Sequence, residues 1–438
     1  MRKGAPVKTI VWLKNDLRLI DSRALSMALR DTPAGDIVVV RAKDGTLGHV
    51  PPTARRIVIE NEHVKAMQPL LAHAGIAFVD ARDTETIVPL AVRLGASRVL
   101  ANIEISDDIG FANDRRVARQ LRAAGIRFVE TATDGIRRGH SARRTPAPFI
   151  TSAADLAPIR FARKPAALVS LDAYLKRLPF SHYRRDMWLP GPDARASSRL
   201  SIDIACGALS GDRAIHTTEA ALRDCQPHHA SACRQFLARF QWRQGFIQTL
   251  EDSVDAFPWA PVREERPEDD LRMKVWLAGE TGYPLVDAAM RDLAATGWIN
   301  FRLRQVLSSF ALDLLDLDMH KVGVALGALF DDYCPGIHWP QIGLQAGMAQ
   351  GRGPRVVNPV KQAQELDPDG AYVRRWLPHV AALPEAFAIE PWRHPAYRGP
   401  SPIVDYRTAA RAARLRAPAP ERSGSDFDDR VCTSNLLM

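Results

Sequence analysis

From residue 8 to about 132 the chain alternates short apolar runs with longer amphipathic ones. The runs "TIVWL", "DIVVVRA", "GIAFVD", "SRVLANI" and "GIRFVE" are rich in β-branched residues and bounded by turn formers, which predicts strands. Between them "ALSMAL", "TARRIVIENEHVKAMQPLLAHAG", "TETIVPLAVRLG" and "ANDRRVARQLRAAG" carry apolar residues at helical spacing, and several end in a glycine (Gly75, Gly95, Gly125). Strands alternating with helices of this length predict βαβ units, a parallel Rossmann-like sheet with helices on both faces. The periodicity fails from Asp134 to about Ser198, where "GIRRGHSARRTPAPF" and "WLPGPDARASSR" predict a connector with short helices. Beyond Leu200 nearly every periodic segment has helical spacing, so the second half predicts an all-α domain. The expected organisation is an α/β domain over 1–133, a connector over 134–196, a helical domain over 197–420 and a loose polar tail over 421–438.

A chain of 438 residues exceeds one ordinary core, in keeping with two domains. Lysine and arginine number 59 against 50 aspartate and glutamate, a net charge of +9. That balance favours an acidic partner, nucleic acid before an anionic membrane surface, although mild basicity also occurs without any such partner. Five widely spaced cysteines argue against a disulfide framework and for a reducing compartment. The basic start "MRKGAPVK" is followed only by "TIVWL", too brief for a signal-peptide core, and no apolar run approaches the roughly 20 residues that span a bilayer. The expected setting is the cytoplasm.

Five segments hold candidate chemistry. "ASSRLS", Ala196 to Ser201, reads as a helix N-cap or, with three hydroxyls around Arg199, as a phosphate site. "CQPHHASAC", Cys225 to Cys233, offers soft ligands, but its spacing matches no common zinc pattern; a polar loop is the plainer reading. "FDDYCPGIHWPQ", Phe330 to Gln341, is either a solvated turn or a loop presenting Asp331, Tyr333, His338 and Trp339 to a ligand. "QGRGPRVVNPVKQAQELDPDGAYVRRWLP" interleaves Arg352, Arg355, Lys361, Arg374 and Arg375 with Asn358, Tyr372 and Trp376, which suits a nucleic-acid surface as well as a solvated face. "WLAGETGYPLVDAAMRDLAATGWINFRLR", Trp276 to Arg304, combines glycine breaks, suited to a phosphate cradle or to close helix packing, with Asn300, Arg302 and Arg304.

Together with "VWLKNDLRLIDSRAL" near the start, which carries Asp16-Leu17-Arg18 and Asp21, these ordered motifs resemble the DNA photolyase/cryptochrome family over most of the chain. The resemblance implies an α/β domain able to carry an antenna chromophore and a helical domain holding FAD. It also implies light-driven repair of UV-damaged DNA: a pyrimidine dimer is drawn from the duplex, and an electron from excited reduced flavin splits it. Such an enzyme is a deoxyribodipyrimidine photo-lyase, a carbon–carbon lyase, here expected to act as a monomer. By position, Tyr183 and Ser197, Ser198, Arg199, Leu200 and Ser201 would hold the FAD phosphates and ribityl chain. Trp242, Arg243 and Gln244 would line the lesion pocket. Arg304 would pair with Asp331 beside the flavin ring, near Tyr333, Gly336 and Ile337. Asn300, Phe301 and Arg302 would face the lesion or its backbone, Trp339 would lie in the pocket loop, and Arg243, Arg302, Arg352, Arg355, Asn358 and Lys361 would contact DNA. The glycines after Trp276 then serve helix packing, and the phosphates fall to Ser197–Ser201.

The departures are specific. Gln244 stands where the family usually has an acidic residue, and Phe301 where it usually has asparagine. No polar side chain replaces the asparagine near flavin N5, where Gly336 or Ile337 falls. The usual tryptophan chain is not legible; Trp339, Trp276 or Trp376 would have to form another route. A cryptochrome-like blue-light sensor that binds FAD without repair is the alternative, weakened by the lack of a long C-terminal extension. A six-four photoproduct lyase is the nearer rival and would need a histidine acid, for which His338 is the candidate.

Overall fold

The computed structural model describes residues 8–81, 83–133, 136, 166–178, 183–191, 197–227, 230–261, 263–348 and 356–416. Five strands, β1 (Lys8–Leu13), β2 (Ile37–Ala42), β3 (Ala77–Ala81), β4 (Ala96–Asn102) and β5 (Arg127–Thr131), form one parallel sheet in the order β3-β2-β1-β4-β5. The central strands β1, β2 and β4 are buried almost throughout, as expected of strands covered on both faces, whereas the edge strands β3 and β5 are partly exposed.

The pleat sends alternate residues to opposite faces. Ile10, Trp12, Val38 and Val40 meet Ile87, Leu90, Val117 and Leu121 on one side. Val11, Leu13, Val39 and Leu100 meet Leu25, Ala28, Val64 and Met67 on the other. The helices responsible are α1 (Arg23–Asp31) and α2 (Ala54–His73) on the second face, α3 (Ile87–Arg93) and α4 (Asp108–Ala123) on the first. Ser22, Thr53 and Asp107 cap α1, α2 and α4 with their side-chain oxygens, and Gly75, Gly95 and Gly125 follow α2, α3 and α4 with left-handed backbone.

The remaining elements are helical, as the sequence predicts. They are α5 (Ala166–Arg177), α6 (Tyr183–Asp186), α7 (Ser201–Ala205), α8 (Gly211–Arg223), α9 (Ala230–Ser253), α10 (Pro267–Ala278), α11 (Pro284–Thr296), α12 (Phe301–Ser309), α13 (Met319–Gly327), α14 (Pro335–Gln345), α15 (Pro359–Leu366), α16 (Ala371–Trp376), α17 (Pro378–Ala381) and α18 (Tyr406–Arg416). A π-helix, Phe310–Leu314, follows α12. No helix among the described residues is long and apolar enough to cross a membrane.

Two compact units emerge, and they do not follow chain order. The first combines 1–180, 198–256 and 331–337; the second combines 181–197, 257–330 and 338–438. Within the first unit, the "KNDLRLID" turn explains why α7 and α8 belong with the sheet. Asp16 accepts from Lys14 N at 2.8 Å and from Asn102 Nδ2 at 2.6 Å, which fixes the turn at the ends of β1 and β4. From there Leu17 N donates to Cys206 O at 3.2 Å, Arg18 Nη1 donates to Gly207 O at 3.2 Å, and the Ser210 hydroxyl donates to Asp21. Gly207 is required by close approach: a Cβ there would lie 2.1 Å from Asn15 O.

In the second unit the "GETGYPLVD" stretch is a packing device. Gly279 ends α10 in left-handed backbone, and Asp287 accepts from Thr281 N at 2.8 Å, Thr281 Oγ1 at 2.6 Å and Gly282 N at 3.0 Å, closing the turn onto α11.

Candidate FAD and nucleic-acid site

Within the first unit, the segment expected to hold phosphates is shaped by its backbone. Leu200 is buried, Ser198 Oγ accepts from Leu200 N at 3.3 Å, and Arg199 is exposed with a left-handed φ of 53°. A non-glycine residue held in that region is over-determined by its surroundings, a feature that clusters at ligand clamps. Ser201 opens the short helix α7.

The 331–337 segment is strapped to α2. Asp331, 2% exposed, pairs through Oδ2 with Arg55 Nε at 2.8 Å and accepts from the Thr53 hydroxyl. The carboxylate assigned by resemblance to Arg304 therefore already carries two contacts from α2. Next to it, the Arg56 guanidinium donates to Tyr333 O at 2.5 Å, Ala205 O at 2.8 Å and Glu60 Oε1 at 2.9 Å. Glu60 is also bound by Lys43 at 2.5 Å and Arg41 at 3.3 Å; burial alone would raise its pKa, but Lys43 and Arg56 hold it below the ordinary value. Gly336 is required by packing, since a Cβ there would meet Ile105 Cγ2 at 2.6 Å and Ile247 Cγ1 at 3.0 Å. Tyr333 is buried, and Ile337 is half-buried at the start of α14.

On α9, Trp242 and Arg243 are half-buried and Gln244 is buried. The Arg239 guanidinium lies 4.9 Å from the Trp242 ring centroid, a cation–π contact that fixes the indole on its helix. At the carboxyl ends of the strands, Asn15, Lys43, Asp44, Glu104 and Asn113 line a polar cavity beside Trp12. It sits where the strand order reverses, the usual ligand position in an open parallel sheet. Glu104 accepts from Asn15 Nδ2, and burial pushes its pKa up to about 7.

Within the second unit, α12 presents the "NFRLR" residues in three different ways. Asn300 is 6% exposed; its Oδ1 accepts from Leu303 N at 3.0 Å and its Nδ2 donates to Trp188 O at 3.0 Å and Leu189 O at 2.9 Å. Asn300 thus caps α12 and ties down the 188–189 backbone. Phe301 and Arg302 are half-buried against Trp188. Arg304 donates through Nε to Ile299 O at 2.9 Å and lays its guanidinium 4.1 Å from the Phe330 centroid, so its charge is held in place.

Trp339 is fully buried at the centre of an aromatic group. Trp259 lies 5.4 Å away edge-on, His320 stacks at 5.6 Å, and the Trp339 ring would lie 2.4 Å from a Cβ on Gly323. His338 Nε2 donates to Gly323 O at 2.8 Å, which commits that ring nitrogen to the backbone. Trp276 is also fully buried, and Trp376 is half-buried.

The C-terminal block divides between surface and core. Lys361 is 71% exposed. Asn358 Oδ1 caps α15 through Val360 N and Lys361 N, so its carbonyl has a local task. Tyr372 is buried and donates its hydroxyl to Asp292 at 2.9 Å, which removes it from the expected interleaved surface. Arg352 and Arg355 lie outside the described residues. The Cys225 thiol donates to Gln226 O at 3.5 Å, Cys233 is buried, and the described residues contain no metal-binding cluster.

The helix that carries Arg304 is supported from behind by a buried carboxyl. Asp313, in the π-helix, accepts from Ser309 Oγ at 2.6 Å and Gln345 Nε2 at 2.8 Å, while burial raises its pKa to about 6. A raised carboxyl pKa contributes stability that is full below the unfolded value near 4 and is lost as pH rises through about 6. Asp313→Asn is therefore expected to remove part of the stability decline between pH 4 and 6.5, measured by urea unfolding across that range; an unchanged slope would contradict the assignment.

Comparison with known proteins decides the family. Residues 9–145 match the model described as DNA photolyase, and residues 229–418 match the FAD binding domain of DNA photolyase. The chain belongs to the DNA photolyase/cryptochrome family. A deoxyribodipyrimidine photo-lyase of Vibrio cholerae is 24% identical, with 91% of this chain and 96% of that protein covered. A cryptochrome DASH of Gloeobacter violaceus is 43% identical over 29% of this chain, which spans about a quarter (25%) of that relative's length. The solved structure of a Synechocystis sp. PCC6803 cryptochrome shares the fold, with a TM-score of 0.78, 23% identity and coverage of 94% of this chain and 99% of that one.

FAD is the cofactor of such a domain. Each unit by itself holds donors that fit it: in the first, exposed Arg199 in left-handed backbone beside the hydroxyls of Ser198 and Ser201 suits a pyrophosphate, and in the second the Arg304 guanidinium is a cation held in place. Residue patterns missed Arg55, Arg56, Trp188 and Trp259. Only "TARR" at the head of α2 gave a usable signal, two adjacent arginines on a helix whose apolar face would otherwise be sealed.

Proposed function

We propose that this chain is a deoxyribodipyrimidine photo-lyase that repairs cyclobutane pyrimidine dimers in DNA under light. The carrying observation is end-to-end alignment with a protein of that name, 91% of this chain against 96% of the Vibrio relative, both family domains in order. Bound FAD supplies, on excitation of its reduced form, the electron that opens the dimer. The chain's own residues bind and orient. Tyr183, Ser197, Ser198, Arg199, Leu200 and Ser201 hold the phosphates and ribityl chain. Arg304 stabilises negative charge on the ring, and Tyr333, Gly336 and Ile337 lie along the loop beside it. Trp242 packs against the extruded bases, and Gln244 donates to them through a neutral amide. Arg243, Arg302 and Lys361 hold backbone phosphates, a grip that weakens with salt. Buried Trp339 and half-buried Trp259 are the indoles placed to carry charge between interior and surface. The polar α/β cavity is where an antenna chromophore would sit. The protein acts as a cytoplasmic monomer.

The likeness to a cryptochrome DASH favours one second reading, a blue-light photoreceptor that holds FAD without repair. The six-four lyase reading loses support, because His338 Nε2 is committed to Gly323 O. Light-dependent conversion of a single thymine dimer in a defined oligonucleotide separates these readings. Repair is expected under blue light and absent in the dark.

A further inference from the structure

Phe330 follows α13 and is 3% exposed. Burial alone would account for a phenylalanine there, since an aromatic side chain contributes a large apolar area. Its ring has a second use, because the Arg304 guanidinium lies over it at 4.1 Å from the centroid. A leucine would fill similar volume and offer that cation nothing.

The ring is held from several directions. Leu329 N donates to Leu326 O at 3.0 Å and Phe330 N to Gly327 O at 3.2 Å, which winds the backbone tightly off the end of α13. The His338 and Phe330 rings meet at 65° with centroids 6.1 Å apart, an edge-to-face arrangement. His338 is fixed in turn: its Nε2 donates to Gly323 O at 2.8 Å, and Trp339 packs so closely on Gly323 that no Cβ fits there. All of these residues belong to the second unit.

Arg304 is held on its own side as well. Its backbone N donates to Asn300 O at 3.1 Å in the first turn of α12, and its Nε donates to Ile299 O at 2.9 Å. The bond at Nε fixes how the side chain leaves the helix, while the ring fixes the plane of the guanidinium. A guanidinium is planar and weakly hydrated, so it stacks well on an aromatic face, and the covered face carries no water to screen it. A cation held in that way acts on a neighbouring charge more strongly than one free to turn into solvent.

We infer that Phe330 is a positioning residue for the cofactor: its ring holds the Arg304 charge in place, and through that charge it favours the reduced, anionic flavin. The inference rests on the reading of Arg304 as the cation beside FAD and adds the residue that makes that cation effective.

The test is the midpoint potential of the flavin-loaded full chain, read by dye-coupled reductive titration in the dark and without DNA. Trifluorophenylalanine in place of Phe330, fluorinated along the ring edge, keeps the ring and nearly its shape but drains negative charge from its face. Phe330→Leu removes the ring. Each is expected to weaken the preference for reduced flavin about fivefold, a fall of about 20 mV for a two-electron couple. Phe330→Tyr, which keeps the π face, is expected to retain the parental potential. In an Arg304→Ala background the fluorinated ring is expected to add no further shift, because the charge it acts through is gone. Should Phe330→Leu lose its fold by circular dichroism, the fluorinated ring carries the test. A parental potential with the fluorinated ring while Arg304→Ala lowers it, or an equal fall in both backgrounds, would overturn the inference and leave the Arg304 reading standing. A parental potential in Arg304→Ala would overturn both.

Discussion

Arg56→Met is expected to cost about 3–5 kcal/mol of stability, the range for breaking a buried ion pair. The side chain is 1% exposed and makes three contacts, to Tyr333 O, Ala205 O and Glu60. Methionine fills the volume, so the loss reports the polar contacts and not a cavity. Glu60 keeps Lys43 and Arg41, and so most of the penalty falls on the two carbonyls left buried without a donor. Both belong to segments assigned to the cofactor, the end of α7 and the 331–337 loop, so flavin retention falls together with stability. Arg56→Lys is expected to recover only part, because one ammonium cannot serve three acceptors in the guanidinium's plane. Urea unfolding and the flavin absorbance of purified protein measure both effects. An unchanged midpoint in Arg56→Met would show that α2 does not hold these segments.

Arg304→Ala is expected to weaken FAD retention about tenfold or more, with a smaller loss of stability. The guanidinium is held at one end by Ile299 O and across its face by Phe330, so in the proposed site it would meet the ring without further ordering. A fixed cation favours the reduced, anionic ring over the oxidised one, and the loss of a charge-assisted contact is worth about 1.5–3 kcal/mol. The oxidised form should therefore be favoured in the variant, visible as a lower midpoint potential in a dye-coupled reductive titration. Flavin content and potential equal to those of the parent would refute the role of Arg304. Arg304→Lys separates charge from shape, since it keeps the cation and loses the planar stack on Phe330.

The sheet was legible because its signals are local. β-branched runs, amphipathic helices and terminal glycines repeat along 130 residues, and every predicted strand falls within a residue or two of the observed one. The helical half was legible as helix, but not in its tertiary partnerships. Asn300 illustrates the limit: as a letter beside Arg302 it reads as a lesion contact, yet a short polar side chain before a helix is also the commonest cap, and here its oxygen caps α12. Asn358 followed the same course at α15. Asp331 reads as a partner for a nearby flavin cation, but Arg55 and Thr53, 276 and 278 residues away in sequence, reach it through the fold. Trp259 and Trp188 carry no periodic signal, because each lies outside a long regular helix and acquires neighbours only when the chain closes. Contacts of that separation are invisible to spacing rules.

Illumination of an oligonucleotide carrying one cyclobutane thymine dimer, with flavin bound and reduced, tests the central claim most directly. The account predicts conversion to two thymines under blue light and none in the dark, with a parallel six-four substrate left unchanged. No repair of either lesion under blue light, in protein shown to hold reduced flavin, would contradict it and leave the photoreceptor reading in place.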